Sequence, residues 1–390
     1  MHVIIISTYP PRQCGIATFS RDLRRGMLAA DPAATVDLVA SLQPDADPDQ
    51  QREEVLATFW QAESGDYPAV AGKLNELGPD AVVIEHEYGI YGGPDGQDVV
   101  ELASRLEVPL AVTLHTVLSE PSPHQREVLD ALLDQARWIL VFSPRAQQIL
   151  TAARPELAPR IHVVPHGVPT ELLPGEGVDS DEQRRVLREE MGLDTEGRTM
   201  LSTFGLLSPG KGLELAIRAM PTIVERHPEV LYVIAGRTHP EIVRRHGEAY
   251  REELVALVEE LGMGEHIAFA DGYLNDEQLQ SLLGCTQIFV TPYRGREQIV
   301  SGALTFALAA GCAVVATRYL YAEDMLAGGA GWLVDFDDPQ AIARAVNVAL
   351  DDPEKLAAAR SAARAIGSEM AWPTVGRTVL DLLGDPDGQA

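Results

Sequence analysis

Cysteine is scarce in this chain, and Cys14, Cys285 and Cys312 are far apart and odd in number. Such usage excludes a disulfide framework and a cysteine-based zinc site, and it predicts a reducing compartment, taken as the cytoplasm. Long apolar runs are missing as well. No stretch reaches the length that spans a bilayer, and the opening residues Met1 to Ser7 lack the basic start and cleavage pattern of a signal peptide. They read as a strand that begins at once. Basic residues are few, since 31 Lys and Arg face 58 Asp and Glu and leave a formal charge of −27. That balance argues against a nucleic-acid partner and against general adhesion to anionic lipid, leaving room only for weak peripheral membrane contact through a local basic patch. Fixed-period repeats are absent, and the one short low-complexity piece is the polar tail after Gly384.

What is present is ample apolar content, 46% of 390 residues, in a chain too long for one core of ordinary size. Short apolar runs alternate with helical periodicity. His2 to Ser7, Val36 to Ala40, Ala81 to Glu85, Leu110 to Leu114, Trp138 to Phe142 and Ile161 to Val164 read as strands of a first α/β domain, 1–170. The segment 171–198 turns rich in Pro, Gly and acids and reads as a linker, with a short amphipathic piece around Gln183 to Met191. Alternation then restarts at Met200 to Phe204, Leu231 to Ala235, Ile267 to Ala270, Ile288 to Val290, Ala313 to Ala316 and Gly331 to Val334, giving a second domain over 199–370. A final helix is predicted over 371–384. The fold class is α/β, with two doubly wound parallel, Rossmann-like sheets facing a cleft that closes on its ligand.

The chemistry concentrates where strands run into helices. Thr291 to Thr317 reads as strand, loop, helix and strand, with the helix predicted from about Ile299 and stopped at Gly311. A loop there lies at the carboxyl end of a parallel strand, the place where open α/β sheets bind phosphorylated ligands. Ser301 and Gly302 allow close approach to backbone donors, and Glu297 and Gln298 can hold hydroxyls. The same residues would also make a tightly packed strand–helix corner. Gly205 to Gly212 follows a strand and opens a helix, so its backbone and Lys211 suit phosphate. It nearly spells a P-loop, but Gly212 stands where Ser or Thr would hold magnesium and Pro209 removes a donor. His86, His115, His166 and His239 stand at strand ends without metal-site spacing.

Both domains carry motifs that resemble the retaining family-4 glycosyltransferases of the GT-B fold, in their mannosyltransferase-like branch. These are Pro10 to Phe19, His86 to Gly93, Thr113 to Thr116, Pro165 to Val168, Gly205 to Gly212, Thr238 to Pro240 with Gly247 to Arg251, and Glu297-Gln298 with Ser301-Gly302. The resemblance implies a nucleotide-sugar donor, expected to be GDP-mannose, held mainly by the second domain. It implies a carbohydrate or glycolipid acceptor held mainly by the first, and no metal or other cofactor. Lys211 carries over as the cation on the donor diphosphate and His115 as the histidine that contacts the donor sugar. Gly15 would let its loop approach the phosphate, Gly205 opens the diphosphate loop, Tyr273 would lie near the base, and Trp372 begins the terminal helix that crosses back to the first domain.

Two departures qualify the match. The family commonly has Arg after the glycine matching Gly205, where this chain has Leu206, so Arg237, Arg294 and Arg296 become the candidates for charge neutralisation. The family's Glu, seven residues, Glu signature ends on Gln298 and Phe306 in one register and on Glu297 and Thr305 in the other. Glu297 is therefore expected to be the critical acid, joining His115 and Lys211 as the catalytic set. Asp45 and Asp47 superficially resemble the Asp-x-Asp metal clamp of the other major glycosyltransferase architecture, but their surroundings read as a solvated loop. A phosphorylase or synthase acting on a free sugar, or a non-catalytic carbohydrate- or nucleotide-binding protein, remains the alternative.

Overall fold

The computed structural model describes residues 1–50, 52–173 and 180–385. It divides into two compact units, Met1–Gly167 with Met370–Ala390, and Val168–Glu369. In the first unit the strands are β1 (His2–Ser7), β2 (Thr35–Leu42), β3 (Val55–Trp60), β4 (Ala81–His86), β5 (Leu110–Leu114), β6 (Trp138–Val141) and β7 (Ile161–Val163). They form one parallel sheet in the order β3-β2-β1-β4-β5-β6-β7. Val3 pairs with Val36 on one side and Ala81 on the other. A parallel sheet has helices on both faces, so its inner strands are buried throughout and read as apolar runs; Val3 to Ile6 of β1 and Ala81 to Ile84 of β4 do so.

One strand has no counterpart in the sequence reading. β3 lies at the sheet edge with Phe59 as its one fully buried residue and Leu56 exposed, so neither an apolar run nor a clean alternation marks it. The helix Gly15–Ala30 packs along the helix Trp372–Gly384, both within the first unit. Their contact is closed by glycine: a Cβ on Gly26 would strike the Trp372 carbonyl, and one on Gly376 would strike the Gly26 backbone.

The second unit contains β8 (Thr199–Phe204), β9 (Val230–Ala235), β10 (Ile267–Ala270), β11 (Thr286–Thr291), β12 (Ala313–Thr317) and β13 (Gly331–Val334). These are again all parallel, in the order β10-β9-β8-β11-β12-β13. The chain builds outward from β8 in one direction and then returns to its other side at β11, which makes the β8/β11 gap the topological switch point.

The linker expected at 171–198 needs correction. The second unit already begins at Val168, residues 174–179 lie outside the described residues, and the helix Ser180–Met191 belongs to that unit's core. Its Leu187 is fully buried with Leu193 against Met200, Leu231, Val233 and Leu282. The acidic composition marks only the outer face of this helix, while the inner face packs on the sheet layer. No helix among the described residues is long and apolar enough to cross a membrane.

Candidate functional site

At the carboxyl edge of the second sheet, the loops that leave β8, β9 and β11 are tied to one another by backbone. Beyond the strand ends Gly205 N–H donates to Ala235 O at 3.0 Å, Leu207 N–H to Arg237 O at 2.8 Å and His239 N–H to Leu207 O at 2.9 Å. Gly205 and Gly236 have φ of 125° and 134°, and a Cβ on Gly236 would run into the Gly205 carbonyl. Glycine is therefore required where the two loops touch. On the other side Arg294 N–H donates to Gly210 O at 3.0 Å, joining the β11 loop to the β8 loop across the switch point.

Lys211 occupies this junction. It sits in the single 3-10 turn Pro209–Lys211 ahead of the helix Leu213–Val224, and its Nζ lies 3.9 Å from the centroid of the Tyr293 ring. Tyr293 is buried, so an aromatic face and not a carboxylate holds the cation, and among the described residues Lys211 forms no ion pair. Arg237 contributes a buried Nε with no hydrogen-bond partner among the described residues. The His239 ring is held below its ordinary pKa first by burial and then by the positive charges of Lys211 and Arg237. Lys211 and Arg237 thus bring positive charge together near the ends of β8 and β9, a field suited to an anion.

The other two candidate arginines differ. Arg294 is committed to Glu214 at 2.7 Å and faces Asp337 at 3.4 Å, while Glu214 also accepts from Tyr250 at 2.9 Å. Arg296 is exposed. Tyr273 is half-exposed after the edge strand β10, separated from the switch point by β9 and β8.

The helix predicted from about Ile299 begins instead at Gly302. Ser301 is its N-cap and accepts from Leu304 N–H at 3.3 Å, while Ile299 is buried as an anchor of the preceding loop. Within that loop the carbonyls of Arg296 and Gln298 accept from Leu320 and Tyr321 N–H, each at 3.0 Å, so half-buried Glu297 is fixed between two pinned peptide groups. Gln298 uses its amide on Val300 O at 3.0 Å. Thr305 is fully buried, donating to Ser301 O and bonding the Tyr321 hydroxyl at 2.8 Å. Phe306 stacks near parallel on Phe204, the last residue of β8.

In the first unit Gly15 is the first residue of its helix, capped by Cys14 and open around the position of a Cβ. His115 follows β5 and its Nε2 is 2.8 Å from Glu85 Oε2. Phe19 and Phe142 meet its ring in edge and tilted contacts, and His166 and Trp372 pack in turn on Phe19. Burial holds His86 and His166 down to about 4 from the ordinary 6.5. Because the unfolded chain protonates at a higher pH than the folded one, this contribution to stability is complete above pH 6.5 and is lost as pH falls toward 4. Thermal unfolding followed between these limits is expected to drop by several degrees more in the wild type than in a His86→Gln, His166→Gln double variant. Equal drops would show that other groups set the acid response.

The structure gathers Gly205, Lys211 and Arg237 at the switch point and places Glu297, Gln298, Ser301 and Gly302 on one loop of the same sheet edge. Arg294 is drawn to Glu214, and Gly15 and His115 lie on the first unit. Sequence reasoning missed Tyr293 and Glu85. An acid inside the buried run Ala81–His86 was the available signal for Glu85; nothing local signals that Tyr293 lies beneath Lys211. Asp45 and Asp47 are exposed, and no group of three His, Cys, Asp or Glu among the described residues is arranged to hold a metal.

Residues 183–366 match the family model described as Glycosyl transferases group 1. A GDP-mannose-dependent alpha-(1-6)-phosphatidylinositol monomannoside mannosyltransferase of Mycolicibacterium smegmatis is 31% identical over 220 residues, 53% of this chain and 54% of the relative. Spore coat protein SA of Bacillus subtilis is 24% identical over 256 residues, 64% of this chain and 65% of that protein. The chain spans about half the length of the mannosyltransferase it matches. Among solved structures, Anabaena Alr3699/HepE in complex with UDP superposes with a TM-score of 0.74 at 18% identity, covering 98% of this chain and 99% of that one. Sucrose-phosphate synthase from Thermosynechococcus elongatus gives 0.76 at 18%, covering 98% of each. Residues 183–366 are thus similar to glycosyl transferases group 1, and the superpositions together with the two parallel sheets show the GT-B fold.

Proposed function

We propose that this protein is a retaining glycosyltransferase that moves mannose from GDP-mannose to a carbohydrate or glycolipid acceptor, without a metal cofactor. The observation that carries the reading is Lys211, a cation held on the Tyr293 ring at the switch point with no carboxylate among the described residues to neutralise it. As the bond between the anomeric carbon and the diphosphate oxygen breaks, negative charge grows on the departing nucleoside diphosphate and positive charge on the sugar. Lys211 and Arg237 answer the first, aided by the N-termini of the helices Leu213–Val224 and Gly302–Ala309. Glu297 answers the second and accepts hydroxyl hydrogen bonds. The choice of mannose rests on the similarity to the mannosyltransferase relatives.

Because the structurally similar HepE was crystallised with UDP and UDP-glucose, the decisive experiment is a donor panel. GDP-mannose, GDP, UDP-glucose and UDP are titrated by calorimetry, and products from mixed acceptors are read by mass spectrometry and by the anomeric signals in NMR. GDP-mannose is expected to bind and to give a product with unchanged anomeric configuration. No affinity for any nucleoside diphosphate or its sugars would sink the reading, and binding without product would favour the non-catalytic alternative. Chelation with EDTA is expected to change turnover by less than about twofold, since the charge is carried by side chains and helix ends and not by a Lewis acid. Loss of turnover that magnesium restores would overturn metal independence.

A further inference from the structure

Glu85 presents a physical problem that the proposed reaction has not used. Its side chain is fully buried in β4. A carboxylate taken out of water is costly unless it is paired and hydrogen-bonded. No Lys or Arg among the described residues pairs with it; its partners are Thr113 Oγ1, which donates at 3.3 Å, and His115 Nε2 at 2.8 Å. An ionised carboxylate can only accept, so the His115 nitrogen facing it must carry a proton. In the neutral ring this leaves Nδ1 as the acceptor.

The rest of the His115 surroundings agree. His86 is fully buried and His166 nearly so, Phe19 meets the ring edge-on at 4.9 Å between centroids, and Phe142 lies at 5.1 Å. Glu87, two residues beyond Glu85, is bonded to the Thr116 hydroxyl at 2.5 Å and so does not compete for the ring. The side chain of His115 keeps 8% of its surface exposed. The neighbours hold the ring in place, and among the described residues Glu85 is the side chain hydrogen-bonded to one of its two nitrogens.

We propose that Glu85 is a positioning residue that locks His115 in the tautomer protonated at Nε2 and thereby presents Nδ1 as a hydrogen-bond acceptor to a hydroxyl of the sugar substrate. Its role in turnover rests on the glycosyltransferase reading, whereas the tautomer is a property of the protein alone. A bond from a fixed acceptor orients a hydroxyl; a ring free to exchange tautomers would meet the same hydroxyl with a donor for part of the time.

The test is nitrogen NMR of histidine-labelled protein at mildly alkaline pH, with the His115 signals assigned from a His115→Gln variant. The wild type is expected to carry its proton on Nε2, with the Nδ1 signal moving when the donor sugar is added. In Glu85→Gln, whose amide can either accept or donate, a population protonated at Nδ1 is expected to appear. Turnover is expected to fall by about fivefold with donor KM little changed, the size of one neutral hydrogen bond. Thr113→Val removes the other bond to the same carboxylate and is expected to leave the tautomer as it is, which separates positioning from general disturbance of β4 and β5. A wild-type ring protonated at Nδ1 overturns the proposal even if neither Glu85→Gln nor Thr113→Val folds. So does a Glu85→Gln protein whose tautomer shifts while turnover stays normal. A wild type that transfers from no nucleotide sugar defeats the proposed reaction, and the tautomer measured without donor still decides whether Glu85 locks the ring.

Discussion

Lys211→Ala is expected to lower kcat/KM for the nucleotide-sugar donor by a hundredfold or more and to leave the unfolding temperature nearly unchanged. The magnitude follows from what a preorganised donor facing a developing negative charge contributes, about 2.7–4 kcal/mol for a single group. The direction of the stability effect follows from the environment. Lys211 rests on the Tyr293 ring and forms no ion pair among the described residues, so its removal leaves no buried carboxylate without a partner. Arg294→Ala is the informative contrast. That guanidinium is already neutralised by Glu214 and faces Asp337, so its loss is expected to change kcat/KM by less than about threefold, with the cost appearing in stability instead. Steady-state kinetics beside thermal unfolding for both variants decides the point. Equal kinetic losses in the two would show that the diphosphate is not held at the switch point.

That contrast also shows where the sequence is legible. Strands such as β1 and β5 were readable because burial on both faces forces uninterrupted apolar residues, and the alternation with helices then implies a parallel sheet. β3 escaped because an edge strand pairs on one side and needs to bury little. The helix Ser180–Met191 looked like part of a linker because its composition is acidic, while the few residues that dock it, Val186 and Leu187 among them, are outnumbered. Composition reports the exposed face of such a helix, and packing depends on the other.

The site was legible in its backbone and less so in its charges. Glycines at 205 and 236 announce loops that approach closely, and Lys211 between two glycines announces a cation near the end of β8. Which arginine is available could not be read in the same way. Arg237, Arg294 and Arg296 are equivalent as letters, but Arg294 meets Glu214 from 80 positions away through the fold. The two registers of the acidic signature stayed open for the same reason. Thr305 turned inward to Tyr321 and Phe306 laid on Phe204 are facts about partners that lie distant in the chain.

Those two placements sharpen the case of Glu297. Neither Thr305, consumed in the core, nor Phe306, stacked on the end of β8, can supply a carboxylate, and Gln298 turns its amide to Val300 O within its own loop. A competing explanation is that Glu297 merely complements a helix N-terminus, an effect of up to about 1 kcal/mol that fades within the first turn. The helix starts at Gly302 with Ser301 as its cap, so Glu297 lies outside that turn, in a loop pinned by Leu320 and Tyr321. On the proposed reaction this pinned acid is the one that meets the donor sugar. Glu297→Gln is therefore expected to keep the wild-type unfolding temperature while turnover falls by more than about tenfold, above ~1.4 kcal/mol of transition-state stabilisation. The loss should appear in kcat with nucleotide affinity preserved, because the carboxylate acts on the sugar as it becomes cationic and Lys211 still holds the diphosphate. Gln298→Ala, by contrast, loosens the loop and is expected to raise donor KM with a smaller effect on kcat. A Glu297→Gln enzyme of normal turnover beside an inactive Gln298→Ala would assign the critical position to the other register.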